Sequence, residues 1–170
     1  MVARRVVIMC CLLAAAAIIQ TTMGGWLTRF VLKPDLVLLI VITYSVVRGV
    51  EEGALAGIIG GLMVDSLSSV PFGSATFSMG ALGLAMGLGE DNIYRSNVII
   101  PLVAVFLATV FYHSLLLLIL QGGGWQVEWV VTLALQTVPC AVLNALIAPL
   151  AIPLIRRFTA SPKESEGMRW

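Results

Sequence analysis

Long apolar runs, broken only by short polar stretches, recur along nearly the whole chain. A membrane-spanning helix needs about 20 mostly apolar residues, with a range of about 17–25. Six runs meet that description and predict helices over 6–23, 34–50, 53–69, 72–89, 98–120 and 129–155. The breaks are short: RGVEE (48–52), SVPFG (69–73), EDNIYRSN (90–97) and QGGGWQVE (121–128). The longest, GGWLTRFVLK (24–33), carries Trp26 and Phe30, which suggest a segment at the membrane interface.

The opening MVARRVVIMCCLLAAAAIIQ has the charge, apolar core and alanines of a cleavable leader. Its apolar run continues through Gln20 to Met23, however, and five more such segments follow, so it reads as a retained first helix. Six spans put both termini on one side. Arg4, Arg5, Arg48, Arg95, Arg156, Arg157, Lys163 and Arg169 fall on that side, and only Arg29 and Lys33 on the other. Basic residues concentrate in cytoplasmic loops, so both termini are expected in the cytoplasm.

Composition narrows the class further. Of 170 residues, 59% are hydrophobic and 11% charged, against roughly a quarter charged in soluble domains. No room remains for a soluble domain of typical size, about 100 residues or more. The expectation is one all-α membrane domain over 1–157, followed by a polar, disordered cytoplasmic tail over 158–170. The net charge of +1 gives no reason to expect nucleic acid as a partner. Cys10, Cys11 and Cys140 all lie in apolar runs, where thiols behave as small hydrophobes. No Cys/His cluster has metal-ligand spacing, and no phosphate loop or nucleophile motif appears. Neither a cofactor nor a catalytic activity is expected.

Local punctuation supplies the candidate functional residues. Pro34 suits the first position of the second helix, where its missing N–H costs nothing. Asp35 then stands beside the positive end of the helix dipole. The pair either starts a helix at the outer interface or contacts a partner. Arg48 can snorkel from the other end of this helix. Gly53, Gly57 and Gly61 recur every four residues in the third helix, and Gly80, Gly83 and Gly87 line the fourth. Such stripes let backbones approach closely in lipid; they suit packing of these two helices on each other or on an external helix. Pro139, Pro149 and Pro153 predict kinks in the last helix.

Asp65 is the conspicuous charge, set in GGLMVDSLSSVPFGS (60–74). At 1.5 Å per residue it lies roughly 18 Å along the third helix, in the outer half of a hydrocarbon core about 30 Å thick. His113 and Gln136 fall at similar depth on the fifth and sixth helices, which makes a shared polar layer geometrically possible. A carboxylate at that depth is a functional candidate. Three roles are open to it. It can anchor the turn into the fourth helix by accepting N–H groups near PFGSA or pairing with Arg29 or Lys33. It can join a polar layer or a partner contact. It can also serve a proton or ion path, for which one Asp and one His make a thin relay.

Residues 33–83 resemble the bacterial rod shape-determining MreD family. The shared pattern is a Pro-Asp opening to the second helix (Pro34, Asp35), an Arg-Gly turn (Arg48, Gly49), a Gly-rich helix ending in GLxxD (Gly61, Leu62, Asp65) and a Pro-x-Gly turn (Pro71, Gly73). YRSN (94–97) also fits. The resemblance implies a non-catalytic membrane scaffold of lateral peptidoglycan synthesis that binds the single-span MreC protein. Through MreC it would act with the MreB filament and with the glycosyltransferase–transpeptidase pair. It also implies a fold similar to the membrane substrate-binding subunits of energy-coupling-factor transporters, which makes a vitamin-type solute-binding subunit the rival reading. Candidate structural or partner-binding residues are Pro34, Asp35, Arg48, Gly57, Gly61, Asp65, Pro71, Gly73 and His113. A membrane enzyme would need a second carboxylate or a base near Asp65, and only His113 is available.

Overall fold

The structure is a computed structural model that describes residues 2–27, 34–89 and 99–159. These residues form helices and no strands: α1 (Val2–Leu27), α2 (Leu36–Arg48), α3 (Val50–Leu67), α4 (Ser74–Leu88) and α5 (Ile99–Gly122). The last helix, α6, runs as Trp129–Thr132, a π-helical turn Leu133–Thr137, and Val138–Thr159. All six contribute to one core: Met9 and Leu13 from α1, Ala56 from α3, Met79 and Leu82 from α4, Val105 and Tyr112 from α5, and Ala148 and Ile155 from α6 surround the middle of α2. In α2 every residue from Val37 to Val46 except Ile40 is buried. Such a helix, apolar all round, belongs at the centre of a bundle, and α2 touches all the other helices.

Helix lengths depart from the expected pattern. α1, α5 and α6 contain apolar stretches long enough to cross a membrane, over Arg5–Thr22, Ile99–Gly122 and Trp129–Arg157. α2, α3 and α4 are shorter, with 13, 18 and 15 residues. The α2–α3 connection explains part of this. Instead of the five-residue break RGVEE, one residue reverses the chain: Gly49, at φ 81°, closes α2 and opens α3. A side chain is strained at that φ, and glycine is not. Its N–H donates to the Ser45 carbonyl, and its own carbonyl accepts from Gly53.

In α6 the interruption is a widened turn rather than a break. Pro139 has no N–H to give and its ring crowds the preceding turn; the π turn Leu133–Thr137 directly before it takes up that misfit. Pro149 and Pro153 lie inside continuous helix. The helix reaches Thr159, and the rest of the expected tail lies outside the described residues, as do Arg29, Lys33 and the YRSN stretch.

Candidate functional site

The tightest packing in the molecule joins α3 to α4. A Cβ on Gly57 would meet the backbone of Met79 and Gly80, and one on Gly61 the backbone of Thr76 and Ala75. Gly53 lies on Gly83, and Gly87 on Val50 and Gly49. The glycine stripes are therefore consumed within the protein. Gly80 is the exception, facing only the Ile58 side chain.

Asp65 closes this helical pair at one end. Its Oδ2 accepts the Gly73 N–H at 2.9 Å, the Thr76 N–H at 3.0 Å and the Thr76 hydroxyl at 2.6 Å. Its Oδ1 accepts the Ala75 N–H at 3.0 Å. The first N–H groups of a helix have no partner within the helix, and a carboxylate in front of them complements their positive end. Asp65, itself buried, thus caps α4 from α3. Gly73 makes the geometry accessible: it stands at φ 100°, in the left-handed region, as the residue before α4. Pro71 is exposed in the same turn and its carbonyl accepts the Ser74 N–H.

Asp35 performs the same office for α2, from the helix's own chain. It is the N-cap, and its side chain accepts the Leu38 N–H at 3.0 Å. Pro34 accordingly precedes the helix instead of forming its first residue, because capping by the Asp35 carboxylate fixes Leu36 as the start. Gln20 of α1 adds its Oε1 as acceptor for the Val37 N–H.

At the opposite end of the bundle, Glu52 gathers three groups. Arg48 donates to it through Nε at 3.1 Å and Nη2 at 3.3 Å, the Tyr44 hydroxyl donates at 3.0 Å, and Arg5 of α1 pairs with it at 3.6 Å. Partial burial alone would raise the Glu52 carboxyl, but the Arg48 guanidinium and the Tyr44 hydroxyl outweigh it and hold the group below its ordinary value.

The polar layer of Asp65, His113 and Gln136 that depth alone allows does not form. The hydrogen bonds of Asp65 go to residues 73–76. His113 is half-buried, with Nδ1 at 3.0 Å from the carbonyl of Thr109 and its ring edge-on to Tyr112. Gln136 is exposed, because the π turn leaves only Thr137 of that stretch facing inward. Another polar group fills the α5–α6 contact: Asn144, fully buried, with its Nδ2 3.4 Å from the Thr109 hydroxyl and 3.8 Å from the Cys140 sulfur. Its Oδ1 and the Thr137 hydroxyl have no hydrogen-bond partner among the described residues. An asparagine in the apolar run of the last helix was the available signal for this cluster.

Three long apolar helices and three shorter ones around a common core define a multi-pass helical membrane protein. A family model described as rod shape-determining protein MreD matches residues 2–161. The chain belongs to the MreD family, and so to the rod shape-determining proteins of the bacterial inner membrane. Neither a curated relative nor a solved structure matches it.

Proposed function

We propose that the protein is a non-catalytic scaffold of the cell-elongation machinery and binds an MreC-like single-span protein in the membrane. Through that partner it acts with the MreB filament and the glycosyltransferase–transpeptidase pair of lateral wall synthesis. Both termini face the cytoplasm in this reading, 1–157 is one membrane domain, and the fold is similar to the substrate-binding subunits of energy-coupling-factor transporters. The observation that carries it is the employment of Asp65. The group with the most chemical potential in the apolar region spends both oxygens on the α3–α4 turn. A carboxylate so occupied shapes a surface; it is not poised to move a proton. Asp35, Pro71 and Gly73 support the same end of the bundle, while Arg48 secures the other.

A tagged copy purified from native membranes in mild detergent tests the reading by mass spectrometry. Recovery of an MreC-like protein with wall synthases is expected, together with weaker recovery by Asp65→Asn at unchanged membrane insertion. Equal recovery by mutant and wild type would remove Asp65 from the docking surface. One observation favours the transporter reading: the Asn144 Oδ1 and Thr137 hydroxyl inside the bundle have no partner among the described residues. Co-purifying cassette ATPases, or saturable thermal stabilisation by a vitamin-sized solute, would establish it instead.

A further inference from the structure

Helices α1 to α4 are level at one end, and the bundle is uneven at the other. At the flush end Arg5 pairs with Glu52, Arg48 reaches the same carboxylate, and Gly87 near the end of α4 rests on Gly49 and Val50. From Glu52 to the end of α3 at Leu67 the rise is only about 22 Å, and α2 rises about 18 Å. A bilayer core is about 30 Å thick.

The other three helices continue past this level. Gln20 bonds to Val37 at the start of α2, and α1 goes on to Leu27, about 10 Å farther. Cys140 of α6 lies close to Asp35 at the start of α2, and Trp129 stands about 16 Å beyond Cys140 along α6. Thr109 of α5 faces Asn144, which sets Gly122 at a matching height. The α5–α6 hairpin therefore overtops the α3–α4 turn by some 8–10 Å. Its flanks stay apolar and exposed through Leu118, Val130, Val131 and Leu135.

The backbone of the low turn is not built for hydrocarbon: beside exposed Leu67, Ser69, Pro71 and Phe72, the N–H groups of Ser69, Val70 and Phe72 have no hydrogen-bond partner among the described residues. Irregular backbone facing lipid tails is not tolerated. A short hydrophobic stretch is instead met by local thinning of the bilayer.

We propose that the membrane is thinned on the α3–α4 side, so that phospholipid headgroups and their water reach down to the α3–α4 turn while acyl chains still cover the α5–α6 hairpin at the same height. A single-span helix lying against α3 and α4 then needs a short or strongly tilted hydrophobic stretch.

The test uses the full chain in vesicles of phosphatidylethanolamine and phosphatidylglycerol, with Cys10→Ala and Cys11→Ala and with the buried Cys140 retained. A bimane dye is attached after Ser69→Cys or, separately, after Leu118→Cys, an exposed α5 position about level with the turn. Quenching is compared between lipid spin-labelled on the headgroup and lipid spin-labelled midway along the chain. At position 69 the headgroup label is expected to quench more, by roughly two-fold or more, and at position 118 the chain label. Stronger chain quenching at 69, quenching by neither lipid there, or headgroup quenching at both positions would overturn the proposal. Phe72→Cys gives the same comparison if the first variant does not fold.

Discussion

Thr76 holds Asp65 twice: its N–H and its hydroxyl both donate to Oδ2, at 3.0 and 2.6 Å. With the Gly73 N–H, that single oxygen accepts three hydrogen bonds. Asp65→Asn leaves one oxygen for four donors and turns an NH₂ group toward N–H groups. Hydrogen bonds to a charged acceptor are worth about 1.5–3 kcal/mol each, so a loss of about 2–4 kcal/mol is expected. Thr76→Val, which removes only the hydroxyl, is expected to cost about 1–2 kcal/mol. Thermal unfolding in detergent micelles ranks the two; a Thr76→Val loss equal to that of Asp65→Asn would show that the backbone donors contribute nothing.

The glycines of α3 and α4 are not equivalent. Gly57→Ala and Gly61→Ala place a methyl group on the opposing backbone, and backbone cannot rotate aside as a side chain can. Overpacking of this kind costs about 1–3 kcal/mol, occasionally more. Gly80→Ala meets only the Ile58 Cγ1 at 3.3 Å, and alanine is the better helix former by about 1 kcal/mol. Its stability is expected to be unchanged or higher. Three melting curves decide this, and a Gly80→Ala loss as large as that of Gly57→Ala would refute the asymmetry.

Glu52 ties the flush end together, and its carboxyl is held low, with burial opposing and Arg48 and Tyr44 prevailing. A carboxylate lowered by folding stabilises the protein above its unfolded value, 4.5. That contribution is lost as pH falls from there through the folded value. Melting temperature should therefore drop on the acid side of about pH 4.5, and Glu52→Gln should flatten this part of the drop while lowering stability at neutral pH. An acid limb identical in the mutant would show that other carboxylates account for it.

Much of this was legible in the chain. Apolar run length places all six helices, and Asp35, Asp65, Gly73 and the glycine stripes point to turns and close packing. Two things were not. Apolarity does not say where a helix ends: run length alone gave the five-residue break RGVEE, and only the Arg-Gly turn of the family pattern pointed to the reversal at Gly49, with its positive φ. Depth along separate helices does not fix rotation about their axes. Gln136 therefore stood as a candidate for the interior although it is exposed, and the π turn before Pro139 leaves Thr137 of that stretch buried instead.

Asn144 offers the sharpest test of whether the bundle interior serves only packing. Its amide is fully buried, its two contacts are long, at 3.4 and 3.8 Å, and its oxygen is unpaired among the described residues. The Thr109 hydroxyl already donates to the Val105 carbonyl, so it needs nothing from Asn144. Replacing a poorly satisfied buried polar group by an apolar one of similar shape is nearly neutral or stabilising. Asn144→Leu is therefore expected to melt at the wild-type temperature or above, with partner recovery unchanged. A destabilisation above about 1 kcal/mol would mean that the amide oxygen is satisfied by something besides the protein, a bound water or a polar solute. A buried site of that kind, with the Thr137 hydroxyl as a second contact, would move the balance from scaffold toward solute binding.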